Sequence, residues 1–173
     1  MTTTLVVMGV SGAGKTTVAE GVATRLGWEF TEGDSFHPKA NVEKMAAGHP
    51  LTDEDRRPWL HALADWIGGQ EEAGADSVLT CSALKRSYRE ILTSGHPSVL
   101  FVDVEVDEAT LRSRLQQRKG HYMPASLLDS QLAALEPLHA DEPGITVSGD
   151  AAPPDVVASV LTALAARTGG TPA

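Results

Sequence analysis

Cysteine is almost absent from this chain: Cys81 stands alone among 173 residues. An internal disulfide is therefore excluded, and the usage fits a reducing compartment. No second cysteine or histidine is spaced with Cys81 to make a zinc site, so Cys81 reads as a small buried hydrophobe. Positive charge is scarce as well. Lys and Arg total 14 against 23 Asp and Glu, a net charge of −9, which argues against non-specific nucleic-acid binding. No apolar run approaches the roughly 20 residues a membrane span needs. The N-terminus lacks the basic segment of a signal peptide, and no internal repeat is found. The expectation is one cytoplasmic domain over residues 1–173, with no nucleic-acid or membrane partner. Its few cations should gather where they are used.

Glycine, in contrast, is concentrated where it matters. Residues 9–16 read GVSGAGKT and fit G-x-x-x-x-G-K-[ST] without a mismatch. An apolar, β-branched run at 5–8 precedes them and a helical stretch at 17–26 follows, the context a phosphate-binding loop requires. Its glycines let backbone N–H groups turn inward to hold phosphate oxygens at a helix N-terminus. The expected nucleotide-binding set is Gly9, Val10, Ser11, Gly12, Ala13, Gly14, Lys15 and Thr16, with Thr17 behind them. Lys15 is expected to reach the β- and γ-phosphates of a nucleoside triphosphate, and the Thr16 hydroxyl to bind Mg²⁺.

Strand-like runs at 5–8, 28–31, 78–81, 99–106 and 145–147 alternate with helical stretches at 17–26, 38–47, 53–68, 87–92, 107–117, 125–135 and 154–167. Such alternation predicts an α/β fold, a five-stranded parallel sheet with helices on both faces. Residues 33–68 interrupt it with polar, His-Pro-rich sequence and no strand. A connection this long is usually functional, and it leaves the carboxyl end of a strand, where α/β folds bind ligands. It is expected to carry the second substrate. Residues 168–173 form an expected frayed tail.

Three segments carry a more specific pattern: GDSFHPKANVEKMAAGHPLTDEDRRPWL at 33–60, CSALKRSYR at 81–89 and RLQQRKGHYM at 114–123. Together they resemble the small, phosphate-loop gluconokinases of bacteria, over nearly the whole chain. The resemblance implies the three-layer phosphate-loop kinase fold, ATP and Mg²⁺, transfer of the γ-phosphate to the 6-hydroxyl of D-gluconate, and a homodimer.

The residues can be read for that chemistry. Asp34 follows a strand and a glycine at the sheet's carboxyl edge, where a carboxylate can orient an attacking hydroxyl, take its proton, or meet Mg²⁺ through water. The D-R-x-P-W-L motif of the family points to Arg56 as the carboxylate-binding guanidinium and leaves Arg57 exposed. Asp53 and Glu54 read as a solvated helix start. His37 and Lys44, with Asn41, are candidate contacts to the sugar acid, whereas His61, beside Trp59, reads as packing. Ser82 ends a strand at the ligand edge. Lys85 and Arg89, four apart, are expected to share a helix face over the substrate. Arg114 and Arg118, one turn apart before Gly120 and His121, predict a basic lid at 114–125 in which the arginines meet ATP and neutralise the transferring phosphoryl group while His121 faces the sugar acid. Residues 149–154, after the last strand, occupy the position of the adenine-side loop in this fold.

Two competing patterns are weaker. The run VLFVD at 99–103 imitates a second metal motif, but Asp103 falls mid-strand and is expected to face outward. The D-x-x-G at 141–144 lacks the N-K-x-D motif of a switch GTPase. Another small-acceptor kinase of the same fold stays open, because fold does not fix the acceptor.

Overall fold

A computed structural model describes residues 1–117 and 125–169. Five strands, β1 (Thr4–Met8), β2 (Glu29–Glu32), β3 (Ser77–Thr80), β4 (Val99–Glu105) and β5 (Gly144–Ser148), form one all-parallel sheet in the order β2-β3-β1-β4-β5. All five residues of β1, TLVVM, are buried. A central parallel strand covered on both faces needs this continuous apolar character.

Seven α-helices lie among the described residues: α1 (Lys15–Leu26), α2 (Lys39–Ala46), α3 (Asp53–Ala73), α4 (Arg86–Thr93), α5 (Glu108–Gln117), α6 (Ala125–Ala134) and α7 (Pro153–Thr168). The expected architecture is therefore the observed one, with most boundaries moved by a residue or two. The exception is α3, which the pattern ends at residue 68. Gly68 and Gly69 each cost a helix interior about 1 kcal/mol relative to alanine, yet the helix continues to Ala73. Its last turn is held from outside: Glu71 accepts from the hydroxyl and the amide of Ser98 and pairs with His96 Nδ1 at 2.9 Å. The start of α3 is fixed by Thr52, whose side chain accepts the Asp55 amide while Asp55 accepts the Thr52 amide.

The core runs along both faces of the sheet, with Leu5, Val7, Leu79, Phe101 and Val102 fully buried, and Leu63 and Ile67 of α3 packed into it. Two expectations about facing fail. His61 is exposed on α3 and does not pack. Asp103 is buried, not outward-facing, because the segment after α6 covers that side of β4: Phe101 N–H donates to Pro143 O at 2.9 Å, and the Leu138 amide bonds the Asp103 carboxylate. Burial, and then the neighbouring charge of Glu105, push the Asp103 carboxyl up to about 6.

Between β2 and β3 the chain forms a 3-10 turn (Gly33–Phe36), α2 and α3. This excursion and the β1–α1 loop both open at the carboxyl edge of the sheet.

Candidate active site

The loop between β1 and α1 is wrapped as a phosphate cradle. Gly14, with φ of 89°, adopts the left-handed conformation that a side chain disfavours and starts α1 at Lys15. Lys15 Nζ donates to Val10 O at 3.1 Å across the loop. The Gly9 amide reaches Ser82 O at 3.3 Å, tying the loop to the end of β3.

Thr16 leads to Glu32, a residue outside the sequence motifs. Its hydroxyl donates to Glu32 Oε2 at 2.8 Å, and Glu32 Oε1 accepts from Thr80 Oγ1 at 2.8 Å. Glu32 ends β2 and lies immediately before Gly33, so the edge rule that selected Asp34 selects Glu32 as well. Gly33 is needed because a Cβ there would sit 1.8 Å from Thr80 O. Strand β3 thus presses against the turn and swings Asp34 outward, its side chain 72% exposed and 4.0 Å from His37 Nε2. Thr16 and these two carboxylates supply the hard oxygen donors suited to Mg²⁺, which takes one or two carboxylates beside substrate phosphates.

His37 is nearly enclosed, with 5% of its side chain exposed, and stacks on Trp59 with ring centroids 4.0 Å apart. Burial, in spite of Asp34, holds its pKa below the usual histidine range. Trp59 in turn donates to Gly33 O at 2.8 Å, so one indole braces both the turn and the histidine. Asn41 is buried, meets His37 Nδ1 at 3.2 Å and donates to Asp55 O at 2.8 Å. Lys44 is engaged by Asp55 Oδ2 at 2.6 Å, and that bond holds Asp55 down at about 2.

A denser cluster forms where α3 meets α4. Arg56 donates to Leu51 O at 2.6 Å and to the Tyr88 hydroxyl at 3.2 Å, and its guanidinium lies 5.4 Å from the Tyr88 ring centre. Lys85 Nζ is 5.6 Å from the same ring and donates to Asp53 Oδ1 at 3.1 Å. The Tyr88 hydroxyl donates to that same oxygen. Asp53 is therefore not merely part of a solvated helix start: the bonds from Tyr88 and then Lys85 keep its carboxyl below the usual range. Tyr88 and Asp53 were not selected from the sequence, although Tyr88 sits inside the CSALKRSYR segment. Arg57 is exposed.

Arg89 belongs elsewhere. Lys85 is the N-cap of α4, with φ of −108° and ψ of 147°, so it lies off the helix and shares no face with Arg89. Arg89 is 1% exposed and bonds Glu142 through Nε at 2.7 Å and Nη2 at 3.0 Å. It also donates to the carbonyls of Ala83, Glu136 and Pro137. The expectation that Arg89 contacts the substrate is thus corrected: its guanidinium is consumed inside the protein.

On the opposite side of the loop, Arg114 donates to Gly12 O at 3.2 Å and Gly149 O at 2.6 Å. These residues line a cavity with Thr17, Ala151 and Pro153, on the side expected for the nucleoside. The lid expected at 114–125 falls mostly outside the described residues; Arg118 and His121 lie there, as do residues 170–173 of the tail. Cys81, fully buried with its thiol pushed up to about 12 by burial, is no nucleophile. It does report convergence, since the charges of Asp34, Lys15 and Arg56 all act on it at the end of β3.

The chain matches the AAA domain family over residues 5–138. It is 60% identical to the gluconokinase of Gluconobacter oxydans (strain 621H) over 157 residues, covering 91% of this chain and 88% of that one. Among solved structures, a sugar kinase from Janibacter sp. HTCC2649 superimposes with a TM-score of 0.91 at 48% identity, covering 99% of each chain. A gluconokinase from Sinorhizobium meliloti 1021 superimposes with a TM-score of 0.88 at 40% identity, covering 96% of this chain and 94% of that one.

Proposed function

The chain belongs to the gluconokinase family, its AAA-type domain spanning residues 5–138, and from that premise we propose that it transfers the γ-phosphate of ATP to the 6-hydroxyl of D-gluconate, yielding 6-phospho-D-gluconate and ADP. One observation carries the acceptor assignment. Lys85 and Tyr88 donate to the carboxylate of Asp53, and Arg56 donates to the Tyr88 hydroxyl beside it, so these side chains are read as a receptor for a carboxylate group. A sugar acid offers one, and a neutral sugar does not. The guanidinium supplies a planar fork and Lys85 a second charge.

The remaining residues supply positioning and charge. The β1–α1 loop holds the triphosphate with its amides, and Lys15 neutralises the β- and γ-phosphates. Mg²⁺, held by Thr16 with Glu32 and Asp34 in its surroundings, would neutralise the phosphate oxygens. Asp34, exposed at the edge of the sheet, orients the acceptor hydroxyl and takes its proton as the new O–P bond forms and the bond to the ADP oxygen breaks. His37 and Ser82 offer hydrogen bonds to the polyol chain, and Arg118 with Arg114 completes the charge around the phosphates. No described helix is long and apolar enough to cross a membrane.

Steady-state kinetics on two variants test this division. Asp34→Asn keeps the shape but loses the proton acceptor, so kcat should fall by roughly 10²–10⁴ with little change in KM for gluconate. Arg56→Ala removes a contact equally strong in ground and transition states, so KM should rise with kcat largely kept. The reverse pair of phenotypes would overturn the assignment.

A further inference from the structure

One amide of the phosphate loop is answered by a side chain from the far end of the domain. Ser11 N–H donates to Gln131 Oε1 at 2.8 Å across 120 residues of sequence. Gln131 lies on α6, the helix that resumes the chain after residues 118–124, and it is half-buried.

The position of Ser11 gives this bond its meaning. Two residues before it, the Gly9 amide is bonded to Ser82 O on the acceptor side. One residue after it, Gly12 lines the nucleoside-side cavity with Arg114 and Gly149. Ser11 therefore sits at the turn of the loop between nucleotide and acceptor, where the terminal phosphate must pass. A primary amide has two ends. With its oxygen committed to the Ser11 amide, the Gln131 Nε2 group, which donates to no side chain or carbonyl among the described residues, stays beside that turn with two N–H donors.

We propose that Gln131 is a γ-phosphate-sensing residue: its oxygen fixes the Ser11 amide while its NH₂ group donates to the transferring phosphoryl group. The inference rests on the ATP-binding reading of the loop, but not on the identity of the acceptor.

Gln131→Glu separates the two ends of the amide. A carboxylate keeps the acceptor for Ser11 N–H and strengthens that bond by its charge. It removes the donors and puts a negative charge beside the phosphoryl group. Calorimetric binding of ADP and of a non-hydrolysable ATP analogue, without acceptor, reads the difference, and Gln131→Ala serves as a second variant. In Gln131→Glu the analogue should bind roughly 10- to 100-fold more weakly, the scale for a lost hydrogen bond to a charged group, while ADP stays within about twofold of wild type; kcat should fall with the analogue's affinity. Gln131→Ala, losing both ends without adding charge, should weaken the analogue less than Gln131→Glu does. Wild-type analogue binding and kcat in Gln131→Glu would overturn the inference alone and leave Gln131 as a brace for Ser11. A wild-type protein that binds neither nucleotide would overturn the loop reading and this inference with it.

Discussion

If Arg56, Lys85 and Tyr88 bind the acceptor's carboxylate as proposed, Asp53 competes with it for the same donors. Its oxygen takes the Tyr88 and Lys85 donors in the free protein, and those bonds move its pKa still further below neutrality. Asp53→Asn keeps an acceptor for Tyr88 but removes the rival charge, so gluconate KM should fall by roughly two- to fivefold, the range of a partly exposed ion pair, with kcat unchanged. A raised KM would instead make Asp53 a ligand of the substrate hydroxyls. At this scale the sequence is readable where a residue's neighbours dictate its place. Asp34 follows a strand and a glycine, and Lys15 starts a helix after a glycine loop. Glu32 obeys the same edge rule but was hidden by the motif beginning one residue later. Arg89 was misread because a four-residue spacing implies a shared face only if both residues are inside the helix, and Lys85 is its cap.

The elements themselves were legible where a period or a cap is enforced by local chemistry: the buried run of β1, the Thr52–Asp55 box opening α3, the left-handed Gly27 closing α1. What local pattern could not reveal is support from other elements. The last turn of α3 depends on Ser98 and His96, and the loop after β3 depends on Arg89. That loop contains Ala83, with φ of 47°, the described non-glycine residue in the left-handed region. Its carbonyl accepts from Arg89 Nη1 at 2.9 Å, and the Leu84 carbonyl accepts the Glu136 amide at 2.7 Å. Arg89 and Glu142 therefore lock the chain after α6 onto the loop that carries Ser82 and Lys85. Glu142→Leu leaves the buried guanidinium without its counter-charge and should destabilise by about 3 kcal/mol or more in urea unfolding. The double variant Arg89→Met, Glu142→Leu removes both charges and should lose less. A double variant at least as unstable as the single would assign the stability to Arg89's carbonyl contacts instead of its charge pairing.

For the molecule as a whole, alternation of strands and helices announced a parallel sheet but not the order β2-β3-β1-β4-β5, because order is decided by long-range packing that no local period records. The misjudged facing of Asp103 has the same origin: which side of β4 is covered depends on the segment around Leu138 and Pro143, far along the chain. Its consequence is a pH dependence. The Asp103 carboxyl rises from 3.8 to about 6 on folding, so the folded state binds the proton more tightly. The stability this contributes is present below about pH 4 and is lost as pH rises through about 6. Asp103→Asn keeps an acceptor for the Leu138 amide and cannot ionise. Unfolding free energies of wild type and variant, compared from pH 5 to pH 8, should therefore diverge in the variant's favour as pH rises. Parallel curves would mean that Asp103 ionises without cost in the folded chain.

The central claim is that the cations of α3 and the β3–α4 loop select a sugar acid as acceptor for the phosphate held by the β1–α1 loop. It is tested most directly by ADP release from the purified protein with ATP and Mg²⁺, comparing D-gluconate with glucose, shikimate, glycerate and AMP under one set of conditions. The account predicts the highest kcat/KM for gluconate and little turnover of glucose, which has the same carbon chain without the carboxylate. Preference for any of the other acceptors, or equal use of glucose, would contradict it.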